Sequence, residues 1–266
     1  MPELPEVQTI VNGLKDKIIG KEIIGIDEFR NNTVHNKTGR KISEFGKIKN
    51  INRIGKYIII STSSDIKLVV HLRMTGKLIF KENANINPAH LRAQFNFQDG
   101  SVLYFDDTRN FGFVNIYKKT QSVDYLRKLG PDALSCKFSE EYLNNVIQKR
   151  KAPIKNLLLN QSVVAGLGNI YVAEILYRAK LSPMRKSYKL NFEEVQRIVE
   201  ITKKVLKKAI KHNGTTISDY RNIDEKSGEF QNFLRIYGKL KCSCGEDVNK
   251  VKQAGRTTYF CPQCQT

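Results

Sequence analysis

Apolar residues recur at helical spacing near the start of the chain, at Val7, Ile10, Val11, Leu14 and Ile18, which predicts an amphipathic helix opening at Pro5. The period then shortens. The runs "EIIGID" from Glu22, "KYIIIS" from Lys56, "IKLVVHL" from Ile66, "KLIF" from Lys77, "RAQFNF" from Arg92, "SVLYF" from Ser101 and "FVNIY" from Phe113 are separated by Gly, Asn and Asp. Short strands at such spacing predict a two-layer sandwich or barrel behind one helix. At "KLGPDAL" the pattern changes again, because Gly130-Pro131-Asp132 interrupts any period. Beyond it "SEEYLNNVIQK" from Ser139, "PIKNLLL" from Pro153, "NIYVAEILYRA" from Asn169 and a long amphipathic stretch from Asn191 read as helices. Asn191 and Glu194 have the spacing of a capping box, and His212-Asn213-Gly214 supplies a stop. The expected organisation is α+β and multidomain: a β-rich part over 1–134, a helical part over 135–232, and a terminal unit over 233–266 too small to stand on its own core.

Composition narrows the partner. The 266 residues carry 45 Lys and Arg against 26 Asp and Glu, a formal charge of +19. That excess is the electrostatic footprint of a protein that meets a polyanion, most commonly nucleic acid, although a ribosome-associated or membrane-surface protein shares it. No apolar run reaches the roughly 20 residues of a spanning helix, and the start lacks a basic-then-apolar signal pattern, so a cytosolic protein is expected.

Four of the five cysteines lie between Cys242 and Cys264, a crowding that fits a metal cluster better than a disulfide framework; Cys136 stands apart as an ordinary thiol. Cys242 and Cys244 are separated by sixteen residues from Cys261 and Cys264, the pattern of a structural four-thiolate zinc ribbon with no open coordination position. The first pair is C-x-C, however. One residue fewer tightens the knuckle, which leaves open whether Cys242 ligates under strain, yields to another ligand or does not ligate. Arg256, between Gly255 and Thr257 where a hairpin turn is expected, is suited to clamping a phosphate.

Pro2 has no place in this scheme. Taken alone it is a tolerated terminal residue, with Glu3 and Glu6 complementing the helix dipole. Lys56 alone is a solvated strand-end lysine, and Met74 or Phe111 alone a core or turn residue.

Six blocks change these readings: "MPELPEV", "GKYIII" around Lys56, "HLRMTG" around Met74, "TRNFG" around Arg109, "PIKNLLLNQSVVAGLGNIYVAE" from Pro153 and "GRTTYFCPQCQ" near the end. In this order, over nearly the whole chain, they resemble the formamidopyrimidine-DNA glycosylase family of bacterial base-excision enzymes. The resemblance implies an N-terminal helix and β-sandwich, a helix-two-turns-helix domain and a zinc ribbon holding one structural Zn2+. It implies removal of Met1 and a bifunctional activity: excision of 8-oxoguanine and formamidopyrimidines through a Pro2 Schiff base, then strand cleavage by β- and δ-elimination.

The resemblance also assigns roles. Pro2 is the nucleophile, Glu3 the general acid/base and Glu6 a supporting carboxylate; Lys56, gripping a phosphate beside the lesion and assisting elimination, and Arg256, clamping a phosphate, complete the catalytic set. Met74, Arg109 and Phe111 form the wedge that fills the gap left by the extruded base. His71, His90, Lys155, Asn169 and Arg256 are further DNA contacts, and Cys242, Cys244, Cys261 and Cys264 hold the metal. The stretch from about Ser218 to Gln231 falls where the family has a mobile loop over the everted base. The implied partner is duplex DNA containing an oxidised purine or abasic site, met by a monomer in the bacterial cytosol and its nucleoid, with no membrane involved. Two other readings stand beside this one. The sister endonuclease VIII group, which acts on oxidised pyrimidines, has glycine in place of Leu4, and a non-catalytic nucleic-acid binder has no need of Pro2, Glu3, Glu6 and Lys56.

Overall fold

Helix α1 (Leu4–Ile18) starts one residue before Pro5, because Glu3 acts as its N-cap and forms a capping box with Glu6. A capping box normally pairs Ser or Thr with Glu, so the Glu-x-x-Glu form is easy to overlook in the sequence. The structure is a computed structural model that describes residues 1–84, 86–217 and 220–266. Ser218 and Asp219, at the head of the loop expected over 218–231, lie outside the described residues.

The chain continues through β1 (Ile23–Glu28), β2 (Val34–Asn36), β3 (Ile48–Ile54), β4 (Tyr57–Thr62), β5 (Ile66–His71), β6 (Gly76–Lys81), β7 (Leu91–Phe97), β8 (Val102–Asp107) and β9 (Phe113–Lys118). Among the described residues these strands form a four-stranded sheet, β1-β7-β8-β6, and a five-stranded sheet, β2-β9-β5-β4-β3. Two sheets make a sandwich, as expected. Their inner faces, including Ile51, Ile58, Leu68, Leu78, Phe95, Phe105 and Val114, join Val7, Ile10, Val11, Leu14 and Ile18 of α1 in one core. The strands β2 and β3 escape the sequence pattern. β2 has three residues, paired in parallel with β9, and β3 is mostly exposed and polar, "IKNINRI".

Short α2 (Asp124–Arg127) is followed by α3 (Glu140–Ile147), α4 (Ile154–Leu159), α5 (Asn169–Arg178) and α6 (Phe192–Lys211). The capping box expected at α6 is present: Glu194 N–H donates to Asn191 Oδ1 and Asn191 N–H to Glu194 Oε2, both at 2.9 Å. The helix stops where Asn213 and Gly214 take positive φ, 57° and 78°. A hairpin of β10 (Asn249–Gln253) and β11 (Arg256–Phe260) closes the chain.

Contacts divide the chain into two compact units, residues 1–124 with 212–229, and residues 125–211 with 230–266. This differs from the three parts read from the sequence. Residues 212–229 return to the first unit, where Tyr220 and Ile223 enter its core. The cysteine hairpin is too small to exclude water alone, and Cys242, Val248 and Cys261 pack with Ala173, Tyr177 and Ile236 of the second unit.

Leu14 is fully buried between α1 and the sheets. Leu14→Ala should lower unfolding free energy by about 2–5 kcal/mol, read as a reduced urea midpoint at unchanged slope.

Candidate functional site

In the first unit the start of α1 organises one end of the site. Pro2, Glu3 and Glu6 are all buried, the carboxylate residues to 3% and 2% exposure. Glu6 Oε2 accepts the Glu3 N–H at 2.8 Å, and its other oxygen, Oε1, accepts the Thr215 N–H at 2.7 Å. Gly214 is required beside it: φ is 78° and an added Cβ would stand 2.8 Å from Glu6 Oε1. One carboxylate thus fixes the backbone next to Pro2 and the backbone entering the 215–229 segment.

Helix α1 packs on β3 and β4, whose turn carries Lys56 after Gly55 at φ 58°. Arg53 Nη1 donates to the Gly55 carbonyl at 2.8 Å and steadies that turn. Lys56 is 6% exposed, so it is not the solvated strand-end lysine that its isolated sequence context allows. Across the β4–β5 ladder from Tyr57 lies His71, which meets Tyr57 edge-on at 4.5 Å and stacks on Phe113 at 5.7 Å. Burial, reinforced by the charges of Arg73 and Lys56, pushes the imidazole pKa down to about 3. His71 Nδ1 accepts the Arg73 N–H at 3.0 Å, which leaves the proton of the neutral ring on Nε2.

Met74, Arg109 and Phe111 come together at the end of β8. Met74 and Phe111 are 41% and 55% exposed, unusual for such side chains, and the Arg109 guanidinium lies 4.9 Å from the Phe111 ring centre. The residue that gathers them is Asp107, fully buried. Its carboxylate accepts from Thr75 Oγ1 at 2.5 Å on the Met74 loop, and from the N–H groups of Arg109, Phe111 and Gly112 at 3.2, 2.9 and 2.8 Å. His90 is exposed and joins the same end through its backbone, donating to Asp106 Oδ1 at 2.8 Å while its carbonyl accepts the Asp107 N–H at 3.0 Å.

In the second unit Asn169 and Arg256 are also neighbours in space. β10 and β11 are joined through Ala254 and Gly255, both at positive φ, 49° and 72°, which is a two-residue turn of the type that suits strand twist. Arg256 is therefore the first residue of β11, exposed beside the turn. Asn169 opens α5, and its Nδ2 donates to the Thr257 carbonyl at 2.9 Å. Lys155, expected as a DNA contact, is fully buried and donates to Thr258 Oγ1 at 2.5 Å. Burial, with the Arg256 charge nearby, lowers its pKa to about 8. Its ammonium braces β11.

The four cysteine sulfurs lie within 4.8 Å of one another. Cys242 Sγ is 3.8 Å from Cys264 Sγ and Cys244 Sγ is 3.6 Å from Cys261 Sγ. Thiolates at ~2.3 Å from a tetrahedral zinc stand about 3.8 Å apart, so the set fits that ion. The short C-x-C knuckle closes without losing Cys242: the Gly245 N–H donates to the Cys242 carbonyl at 3.0 Å and the Cys242 N–H to the Glu246 carbonyl at 2.8 Å. Cys264 N–H points at Cys261 Sγ, 3.4 Å away.

Three family models match in order: the formamidopyrimidine-DNA glycosylase N-terminal domain over residues 1–114, its H2TH domain over 129–221, and a zinc finger found in FPG and IleRS over 243–266. A formamidopyrimidine-DNA glycosylase of Wolbachia sp. subsp. Brugia malayi is 38% identical over 276 residues, covering all of both chains. The chain belongs to the formamidopyrimidine-DNA glycosylase family. The enzyme of that name from Desulforamulus reducens is 36% identical over all of this chain and 99% of its own. Among solved structures, a point mutant of Lactococcus lactis FPG in complex with Fapy-dG containing DNA superposes with a TM-score of 0.90 at 36% identity, covering 99% of each chain. Lactococcus lactis Fpg with abasic-site DNA gives 0.89 at 34% identity, with the same coverage.

As a member of this family the protein is a DNA glycosylase of base excision repair, its four cysteines are consistent with one structural zinc, and the reading as a non-catalytic binder is set aside. No helix among the described residues is long and apolar enough to cross a membrane. Sequence reasoning missed Asp107, although "DDTRNFG" places it two residues before Arg109. It also missed Glu174, fully buried, whose carboxylate pairs with Arg178 and accepts the N–H groups of Arg235, Ile236 and Tyr237. A lone glutamate within "NIYVAEILY" was the available signal.

Asp107→Asn turns one acceptor into a donor facing N–H groups. It should cost about 1–3 kcal/mol and speed hydrogen exchange at Phe111 and Gly112, measured site by site. Metal analysis of the purified protein should find one zinc per chain, and Cys244→Ser should lower that content and the melting temperature together.

Proposed function

We propose that the protein removes oxidised purines, 8-oxoguanine and formamidopyrimidines, from duplex DNA and then cuts the strand at the abasic site by β- and δ-elimination. The observation that carries this reading is the buried Glu3–Glu6 capping box directly after Pro2, which holds a carboxylate pair and the chain start in one rigid frame. Solved relatives in complex with Fapy-dG containing DNA and with abasic-site DNA support it.

With Met1 removed, Pro2 presents a secondary amine, and an α-amino group titrates near ~8, so a nucleophilic neutral fraction exists at cellular pH. The nitrogen attacks C1′ of the damaged nucleotide, the glycosidic bond breaks with its electrons on the base, and the amine proton reaches the leaving base. Opening of the sugar ring, with a proton moving to O4′, gives a cationic iminium. Glu3, adjoining the amine, carries protons at the sugar. The iminium accepts the electrons of the C2′–H bond, the 3′ phosphate leaves, and removal of a C4′ proton then expels the 5′ phosphate. Glu6 positions this end of the chain.

Lys56 and neutral His71 meet phosphates beside the lesion, while Met74, Arg109 and Phe111, held at Asp107, fill the stack behind the extruded base. His90 sits at the rim of that group. Asn169 and Arg256 grip the backbone, and Lys155 acts through the hairpin that carries Arg256. When bound, zinc fixes the fold of that hairpin and takes no part in bond breaking. The protein works as a monomer in the cytosol, and the bacterial origin of its relatives supports a bacterial setting.

Borohydride reduction of the protein mixed with a duplex carrying 8-oxoguanine opposite cytosine should leave a covalent adduct mapping to Pro2. Glu3→Gln should slow excision by ~10²–10⁴-fold while duplex affinity changes little. An adduct formed only with an oxidised pyrimidine would place the protein in the sister group, and no adduct with any lesion or abasic site would sink the covalent mechanism.

A further inference from the structure

The second unit contains a cavity of about 400 Å3 that the repair chemistry does not use, between α6 and the segment that follows residue 229. Its apolar floor includes Val205, Phe230 and Leu234, all nearly or fully buried. Its rim is cationic, with Arg178, Lys204, Lys208 and Arg235 around the opening. Two of these charges are already matched, Arg178 by Glu174 and Lys204 by Glu200. Among the described residues no carboxylate pairs with Lys208 or Arg235. The Lys208 ammonium instead lies 4.0 Å from the centre of the Phe233 ring.

We infer that this cavity is a docking site for an acidic peptide segment of another protein, in which one bulky apolar side chain enters the cavity and flanking carboxylates meet Lys208 and Arg235. Three features select that occupant. A cavity of this size lies at the small end of ligand pockets, ~300–1,000 Å3, and its apolar floor calls for an apolar body. The unmatched cations call for negative charge beside that body, and a chain of net charge +19 does not supply it from a second copy of itself. Nucleic acid fits less well. Base stacking needs an open aromatic face, whereas Phe233 has Lys208 over its ring and packs on Phe230 at 6.0 Å with a 34° tilt. A phosphate backbone alone would leave the floor empty.

The test is fluorescence anisotropy of the full-length protein with a labelled hexapeptide in which one phenylalanine is flanked by aspartates. Because any acidic peptide is drawn to so basic a protein, the same peptide with alanine for phenylalanine is titrated beside it at ~0.15 M salt. Saturable binding at least tenfold tighter for the phenylalanine peptide, lost tenfold or more in Lys208→Glu and less in Lys208→Met, is the expected result. Lys208→Glu should keep lesion excision unchanged, since Lys208 lies outside the repair machinery. Equal binding of the two peptides to the unaltered protein would overturn the proposal, and that comparison stands even if a variant folds poorly. Displacement of the peptide by a short single-stranded oligonucleotide whose own binding is equally weakened by Lys208→Glu would also overturn it, and assign the cavity to nucleic acid.

Discussion

A single buried carboxylate, that of Glu6, holds together the parts of the first unit that matter most. Its two oxygens are bound to backbone N–H groups 212 residues apart in the chain, at Glu3 and Thr215. A carboxylate buried to this degree is costly unless such donors meet it, and the donors in turn are orphans of a helix start and a loop entry. The constraint extends outward. Gly214 has no side chain because the carboxylate fills that space, Tyr220 reaches back toward the Glu6 carbonyl, and Glu3 is fixed as the cap of α1 next to Pro2.

The same device recurs. Asp107 collects four donors from two loops, and Glu174 collects three successive backbone N–H groups and an arginine. In a chain so rich in Lys and Arg, the buried acids Glu6, Asp107 and Glu174 are used chiefly on backbone, where each fixes a segment. Lys155 is the converse case, a buried cation that holds β11 below Arg256. Met74 and Phe111, on loops, and Arg256, at the start of β11, are therefore carried by backbones with little freedom, so their exposed side chains would lose little backbone entropy on meeting a partner.

Much of this architecture was legible in the residues. The short β-rich runs marked seven of the sandwich strands in order, Asn191 and Glu194 marked the start of α6, and the cysteine spacing marked the metal site, with Cys242 beside the other three sulfurs despite its tight knuckle. Other features were not legible. A strand such as β3 has its backbone recruited by neighbours, whatever its polar side chains prefer. The return of residues 212–229 to the first unit rests on Glu6, more than 200 positions away, and no local pattern encodes it. Burial was the largest gap in the site. Lys56 and Lys155 look like any surface lysines in sequence, and only packing distinguishes them.

His71 shows what such packing does to a polar side chain. Sandwiched between Tyr57 and Phe113, with its Nδ1 occupied, it has a pKa pushed down to about 3 and so carries a neutral ring with a single N–H on Nε2 near neutral pH. A lysine or arginine that meets a phosphate displaces a condensed counterion, so its share of the affinity fades as salt rises. The imidazole displaces none. The slope of log K against log salt, ~0.9 per neutralised phosphate on duplex DNA, counts the cations and passes over His71. A phosphate oxygen that accepted from this Nε2–H would be held by a directional hydrogen bond with no counterion to release.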